Sequence, residues 1–467
     1  MSSQPNIVFY FSDQQRWDTC GCYGQKLNVT PNLDRMAAEG VRFERAFTCQ
    51  PVCGPARACI QTGKWATETG CFRNHRALPQ DEKTIAHWCS EAGYDLAYVG
   101  KWHLASQDGQ DFRTIAVPRE HRGGWNGYWM ASDVLEFTSH GYDGYVHDSD
   151  NRKVEFKGYR VDCITDFALD WLRTRDDARP FFLFISYIEP HHQNDRNRYE
   201  GPNGSEEKFK DYEVPGDLAG TAGDWRPNYP DYLGCCNSLD HNLGRIRAEL
   251  DRQGIAGNTL VFYTSDHGSH FRTRNAEYKR ACHDGCLRIP MIASGPGFTG
   301  GRVVSELVSL IDVPPTLLAA AGITPPPTMR GRPLQELAAG RLRLAASRRE
   351  FGAIRRDWPR EVFYQISESK IGRGIRTEKW KYSVSVPGPH RSGSKQPAGD
   401  VYQEEYLYDL ENDPHERWNL VRDPGFASVR AELADVLKRR MSEAGEGVPR
   451  IALAALQEGR IKDSDEE

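Results

Sequence analysis

An α/β architecture, a mostly parallel sheet with helices packed on it, is what this sequence predicts. Three observations carry that reading. Apolar runs of strand length alternate with segments of helical periodicity, side chains capable of chemistry follow several of the strand runs directly, and 467 residues are enough to bury a large core.

The first strand is NIVFYF at 6 to 11. Thr30-Pro31 then opens an apolar-periodic segment that stops at Gly40, the order of N-cap, first-turn proline and terminal glycine that bounds a helix. Alternation continues with a helix near 84 to 92, a strand near 94 to 99, a helix near 159 to 175, a strand at 181 to 187, a helix near 233 to 250 and a strand at 259 to 264. A further sheet-helix segment spans 289 to 323, after which the Pro-rich ITPPPTMRGRPL marks a boundary region. Strand-like pieces near 361 to 366, 371 to 384 and 402 to 409, and a helix near 427 to 442, predict a smaller terminal domain. The expected division is 1–355 and 356–467, with a frayed tail IKDSDEE. Residues 188 to 230 show little periodicity and many polar, Gly and Pro residues, as an active-site wall or interface loop would.

Composition narrows the task. Sixty Lys plus Arg against 65 Asp plus Glu leave a net charge of −5, which argues against nucleic acid as the partner while permitting a local basic pocket. The apolar run FFLFISYI is too short to span a membrane, so no membrane association is expected. Twelve cysteines are too few for a disulfide scaffold of this length, and the opening MSSQPNIVFYFSD lacks a basic, signal-length apolar start. A cytoplasmic location follows for the sequence as it stands, a secretion signal removed beforehand being the other case. The patterns of a four-cysteine zinc site, HExxH and GxxxxGK[ST] are absent. Cys20-Gly-Cys22 and Cys235-Cys236 read as packed or exposed thiols.

Open α/β sheets bind ligands beyond the carboxyl ends of their strands. Asp13 follows the first strand, Lys101 and His103 follow YDLAYVG, His191 and His192 follow FFLFISYIEP, and Asp266 and His267 follow TLVFYTS, so these can converge. In QPVCGPARACIQTGKW at 50 to 65, Pro55 suits a first helical turn and Cys53 lies just before it, where a helix start offers free amides and the positive dipole end to an anion or thiolate.

Here the sequence resembles the formylglycine-dependent sulfatases of the alkaline phosphatase superfamily. Cys53-Gly-Pro-Ala-Arg57 matches their Cys-x-Pro-x-Arg signature, with Ala56 where many members have Ser. NIVFYFSDQQ, GKWHL at 100 to 104, the histidine at 191, SDHG at 265 to 268 and LYDLENDPHERWNL at 407 to 420 extend the likeness from Asn6 to about Leu420. The resemblance implies a large alkaline-phosphatase-like sandwich around a mostly parallel sheet, with a smaller C-terminal α+β domain containing an antiparallel sheet.

It also implies the chemistry. A formylglycine-generating enzyme would oxidise Cys53 to an aldehyde, whose hydrate attacks the sulfur of a sulfate monoester, expels the alcohol and releases sulfate by collapsing back to the aldehyde. Such a reaction needs charge neutralisation, an aligned nucleophile and a proton donor. Asp13, Asp266 and His267, with Gln14 and the modified Cys53 oxygen, offer the shell of a divalent metal: Ca²⁺ first, then Mg²⁺, with Mn²⁺ favoured less. Gln14 stands where many relatives have Asp, and His267 where several have Asn. Arg57, one helical turn after Cys53, would hold the modified residue or its metal-bound oxygen. Lys101 would neutralise a sulfate oxygen and His103 would contact the formylglycine hydroxyl, both turned to one face by an extended start to their loop. His191 would protonate the leaving oxygen, helped by Lys279 in EYKRACHDGCLRIP, which His283 and Asp284 would orient.

The expected substrate is a sulfate-ester small molecule or a sulfated carbohydrate. Trp and Tyr of GGWNGYW at 123 to 129 suit either a substrate rim or the core. Two alternatives stand beside sulfate-ester hydrolysis: a phosphonate monoester or phosphodiester hydrolase of the same superfamily, and a non-catalytic anion-binding protein.

Overall fold

The computed structural model describes residues 4–339, 358–388 and 395–455, and the backbone of 461–462. The boundary expected at 355/356 and the end of the tail, 463–467, lie outside the described residues.

An eleven-stranded sheet forms the body. Its strands are β1 (Asn6–Ser12), β2 (Val41–Phe47), β3 (Asp95–Lys101), β4 (Tyr128–Ser132), β5 (Asp143–His147), β6 (Lys153–Lys157), β7 (Phe181–Ser186), β8 (Thr259–Ser265), β9 (Arg288–Ile289), β10 (Met291–Ser294) and β11 (Arg302–Ser309). The order is β11-β2-β10-β8-β1-β7-β3-β4-β5-β6, with β9 paired to β2. The interior run β8-β1-β7-β3-β4 is parallel throughout. Every residue of β1, β7 and β8 is buried, because a parallel interior strand is covered on both faces and reads as an unbroken apolar run.

Alternate residues of β1 face opposite cores. Val8 and Tyr10 pack with Leu33 and Met36 of helix α1 (Pro31–Glu39) and with Leu239, Leu243 and Ile246 of the long helix Trp225–Arg252. Ile7, Phe9 and Phe11 face the other layer, with Ala58, Cys59 and Ile60 of helix α2 (Cys53–Thr62). That layer continues into the second sheet, antiparallel β12 (Glu361–Ile366), β13 (Gly372–Thr377), β14 (Trp380–Ser385) and β15 (Val401–Asp409), through Phe363, Ile375 and Tyr382. No described helix is long and apolar enough to cross a membrane.

Several expectations need correction. The long helix starts at Trp225 rather than near 233 and runs through Pro230, which forfeits only one backbone bond near its N-terminal end. The last part of the 188–230 segment is therefore helical. Residues 371 to 384 are two strands, since Thr377 Oγ1 accepts a bond from Trp380 N at 2.8 Å and closes a tight turn. Trp125 and Trp129 are fully buried, with Trp125 against Tyr98, Phe182 and Phe184, so these tryptophans of GGWNGYW belong to the core and not to a rim.

Candidate functional site

Strand register sets the site. Ser12 pairs with Ser265, so the chain leaves β1 and β8 side by side and delivers Asp13 and Asp266 to the same carboxyl edge. Lys101 is the last residue of β3, and Ser186 ends β7 between β1 and β3. Close approach of β3 to β7 demands Gly100, where φ is +105° and a Cβ would stand 2.0 Å from the Ser186 carbonyl oxygen.

Cys53 is the first residue of α2, not the residue before it. Val52, the extended N-cap, supplies no side-chain acceptor, and the Gly54 amide is met instead by Asn74 Oδ1 at 3.0 Å. The Cys53 sulfur lies 3.3 Å from Asp13 Oδ1, 3.3 Å from His267 Nε2 and 2.8 Å from Lys279 Nζ. Burial, and next the Asp13 charge, push its thiol up to about 12. An unaltered Cys53 is therefore a neutral thiol at physiological pH and a poor nucleophile.

Asp13, Cys53, Asp266 and His267 are all buried, with one ligand atom from each lying within 4.8 Å of the others. His267 Nδ1 lies 2.9 Å from the Gly268 carbonyl, which can only accept, so Nε2 presents its lone pair to the cluster. Asp266 Oδ2 is buried with no hydrogen-bond partner, while Oδ1 accepts from the amides of Gln14 at 2.9 Å and His267 at 2.8 Å. Burial and the neighbouring Asp13 raise the Asp266 carboxyl to about 7. Two carboxylates, an inward imidazole nitrogen and an orphaned oxygen fit a divalent cation. Gln14 borders the cluster with φ +69°, its Nε2 3.1 Å from Tyr199 Oη and 3.3 Å from Ser269 Oγ.

Cations surround the acids. Lys101 Nζ contacts Asp13 Oδ2 at 2.6 Å, and Arg57 reaches Asp13 Oδ2 at 3.0 Å and Ser186 Oγ at 2.6 Å. Burial opposes the Asp13 charge, yet the charges of Lys101, Arg57 and Lys279 outweigh it and hold its carboxyl well below the usual range. Arg57, one helical turn after Cys53, thus steadies Asp13. Lys279 Nζ bridges Cys53 and His191, with His191 Nε2 at 3.0 Å. Burial disfavours its ammonium, but Cys53, Asp13 and Asp266 raise its pKa, so it stays charged.

The histidines differ. Burial, followed by Lys279, lowers His191, and burial with Lys101 and Arg57 lowers His103, so both are neutral here. His103 does not follow an extended chain: its φ is +61°, its amide donates to Asp133 O at 2.6 Å, and its Nδ1 has no hydrogen-bond partner. His192 stacks on Tyr278 at 4.1 Å and lies 3.0 Å from its hydroxyl, a packing position. His283 and Asp284 do not orient Lys279. They face the second sheet, His283 toward Tyr408 Oη at 3.0 Å and Asp284 toward Lys381 Nζ at 2.5 Å. All twelve cysteines are free, and among the described residues the cluster around Cys53 is the one group with metal-ligand spacing. Ser186, Asn74 and Tyr199 also touch the site and were not anticipated, being single polar residues with no motif around them.

Comparison with known proteins agrees with this geometry. The family model described as Sulfatase matches residues 5–323, and one described as N-sulphoglucosamine sulphohydrolase, C-terminal, matches residues 276–386. The chain is 30% identical to the uncharacterized sulfatase YidJ of Escherichia coli, over 93% of this chain and 86% of that one. It is 26% identical to an N-acetylglucosamine-6-O-sulfatase of Bacteroides thetaiotaomicron, over 95% and 87%. A crystal structure of the putative sulfatase yidJ from Bacteroides fragilis superposes with a TM-score of 0.79 at 23% identity, covering 95% of this chain and 96% of that one, and shares the fold.

Proposed function

The chain belongs to the sulfatase family, and from that premise we propose that it cleaves the sulfate monoester of a sugar, with Cys53 as the residue converted to formylglycine. A divalent cation, Ca²⁺ ahead of Mg²⁺ or Mn²⁺, would be held by Asp13, Gln14, Asp266, His267 and the modified Cys53 side chain. The observation that carries the reading is the sulfur of Cys53 at the start of α2, within 3.3 Å of Asp13 and His267 and 2.8 Å from Lys279. A residue chosen for packing alone has no need of an acid, an imidazole and an ammonium. The sugar class is supported by the similarity to an N-acetylglucosamine-6-O-sulfatase.

When bound, the cation polarises the sulfuryl oxygens and lowers the charge barrier to an approaching nucleophile. The chain's own residues do the remainder. Arg57 and Lys101 fix Asp13 in one rotamer, which keeps the donor set in register. Lys279 places a positive charge where the anionic group must enter and touches both Cys53 and His191. His191 Nε2 stands beside that charge, in position to hand a proton to the departing oxygen. His103, a neutral imidazole among Lys101, Arg57 and Asp13, would be the base for a hydroxyl on residue 53.

Peptide mass analysis of protein from its native producer, before and after hydride reduction, is expected to show an aldehyde at position 53. Cys53→Ala is expected to keep the circular-dichroism spectrum and lose turnover of 4-nitrophenyl sulfate by on the order of 10⁴-fold or more. An ordinary thiol in fully active protein, or undiminished turnover by the variant, refutes the proposal. A kcat/KM far higher on a phosphate diester would reassign the enzyme to the phosphonate monoester and phosphodiester hydrolases.

A further inference from the structure

Glu136 lies in SDVLEF, a stretch that carries no motif, on the short helix Leu135–Thr138 just beyond β4. Its side chain is only 11% exposed, an unusual place for a carboxylate without a task. Oε1 accepts a bond from the Asn194 amide at 3.1 Å, and Oε2 lies 3.9 Å from His191 Nδ1. Gln193 Nε2 donates to the Glu136 carbonyl at 3.3 Å, so the loop carrying His191 is pinned to this helix on both sides of the carboxylate. The same stretch supports the other site histidine, since Asp133 accepts from the amides of His103, Ala105 and Ser106.

We infer that Glu136 is a positioning residue for His191, the carboxylate behind the imidazole that steadies its doubly protonated form; this rests on the proton-donor role proposed above. His191 has two distinct edges. Nδ1 donates to the His192 carbonyl at 2.6 Å, and Nε2 accepts from Lys279 at 3.0 Å. A ring bonded in this way is neutral, so it must gain a second proton before Nε2–H can donate. Burial first, then Lys279, Lys101 and His267, oppose that added charge, whereas Asp13 favours it; the Glu136 carboxylate, 3.9 Å from Nδ1, stands where it would favour it too. Asp13 is already committed to Lys101 and Arg57. Among the described residues, Glu136 makes no shorter ion pair, and it faces the edge of the ring that points away from the reaction. Proton transfer from Nε2 turns the departing alkoxide into an alcohol and returns the ring to its neutral Nδ1–H form. Glu136 touches neither reacting atom and acts only through His191.

The test is leaving-group dependence. Glu136→Gln keeps an acceptor for the Asn194 amide and removes the charge. Aryl sulfates are the probe: 4-nitrophenol leaves readily without a proton, and 4-methoxyphenol does not. The kcat/KM ratio of the nitrophenyl to the methoxyphenyl ester is expected to rise by about tenfold in Glu136→Gln, in the same direction as in His191→Ala and by less. A ratio unchanged from the wild type overturns the inference, because a purely structural role would lower both substrates together. Should the Gln protein fail to fold, Glu136→Asp carries the test, its longer gap to Nδ1 raising the ratio by about threefold; no rise overturns the inference equally. Wild-type protein inert toward every sulfate ester would instead remove the proposed function beneath it.

Discussion

Asp13 meets two buried cations, Lys101 at 2.6 Å and Arg57 at 3.0 Å, and lies 3.3 Å from the neutral Cys53 sulfur, with no exposed surface of its own. Neutralising it removes an anionic donor and strands two buried cations at once. Asp13→Asn is therefore expected to lose divalent metal on exhaustive dialysis, with affinity weakened at least about tenfold, a loss of about 1.4 kcal/mol in binding. In chelator the same variant is expected to be less stable by about 3–5 kcal/mol in urea titration, since breaking a buried pair costs more than the pair itself contributes. Unchanged metal stoichiometry and an unchanged midpoint would together remove Asp13 from the donor set. Arg57 and Lys101 both meet the same carboxylate oxygen, a convergence that a motif match alone does not reveal.

Among the elements, α1 shows how a local signal can be right about position and wrong about cause. Thr30 is the N-cap by place, yet its hydroxyl lies 3.1 Å from Asp34 Oδ1 and caps nothing. The free amides at the start of α1 are met by Asp240 on the long helix, from Asn32 at 3.1 Å and Leu33 at 2.7 Å. Asp240→Ala is expected to lower stability by about 1–2 kcal/mol, measured as a drop in Tm, with catalysis intact. A Tm equal to wild type would show that water replaces the carboxylate at no cost.

The same contrast explains what could be read beforehand. β1, β7 and β8 stand out because interior parallel strands are apolar on both faces, and the residues just past them had to share one edge. β2, with the sequence VRFERAF, interrupts its apolar residues with half-buried charges, and the hairpin β5-β6 carries exposed charged residues, so neither reads as an unbroken apolar strand. Cys53, Arg57, Asp13, Asp266, His267, Lys279 and His191 converge from five segments, as strand-end placement and the motif anticipated. The left-handed backbone of His103 and the contacts of Asn74 and Ser186 depend on loop conformation and pairing across distant segments, for which single residues carry no periodic signal.

At the scale of the whole molecule, the second sheet is bolted to the first by polar contacts as well as by shared core. Lys381 is fully buried between Asp284 and Glu416, Gln365 N donates to Cys49 O at 2.9 Å, and Glu368 Oε1 accepts from Asn74 N at 2.7 Å. β12 thereby holds the segment leading into Cys53, and the loop after it holds Asn74, which meets the Gly54 amide. Asp312, which receives the amides of Ser309 at 2.8 Å and Arg332 at 2.9 Å, sets a pH response for this body. Burial raises its carboxyl to about 6 against those two bonds. A folded-state pKa above the unfolded one gives stability that is full below about pH 4 and lost as pH rises through 6, about 3 kcal/mol in all. Relative to wild type, Asp312→Asn is expected to gain about 2 kcal/mol between pH 4.5 and 7 in urea titrations. A difference that stays flat across that range excludes the assignment.

Cys53 has 1% of its surface exposed, at a helix start packed against the residues that follow β1 and β8 and against Lys279. No catalyst of macromolecular size can reach a sulfur in such a place. On the proposal that position 53 is converted to formylglycine, the converting enzyme has to meet the polypeptide while it is still extended, so the order of events during biosynthesis would decide whether a given copy can work. A copy that folded first would then keep its thiol, identical in outline to its converted siblings and silent.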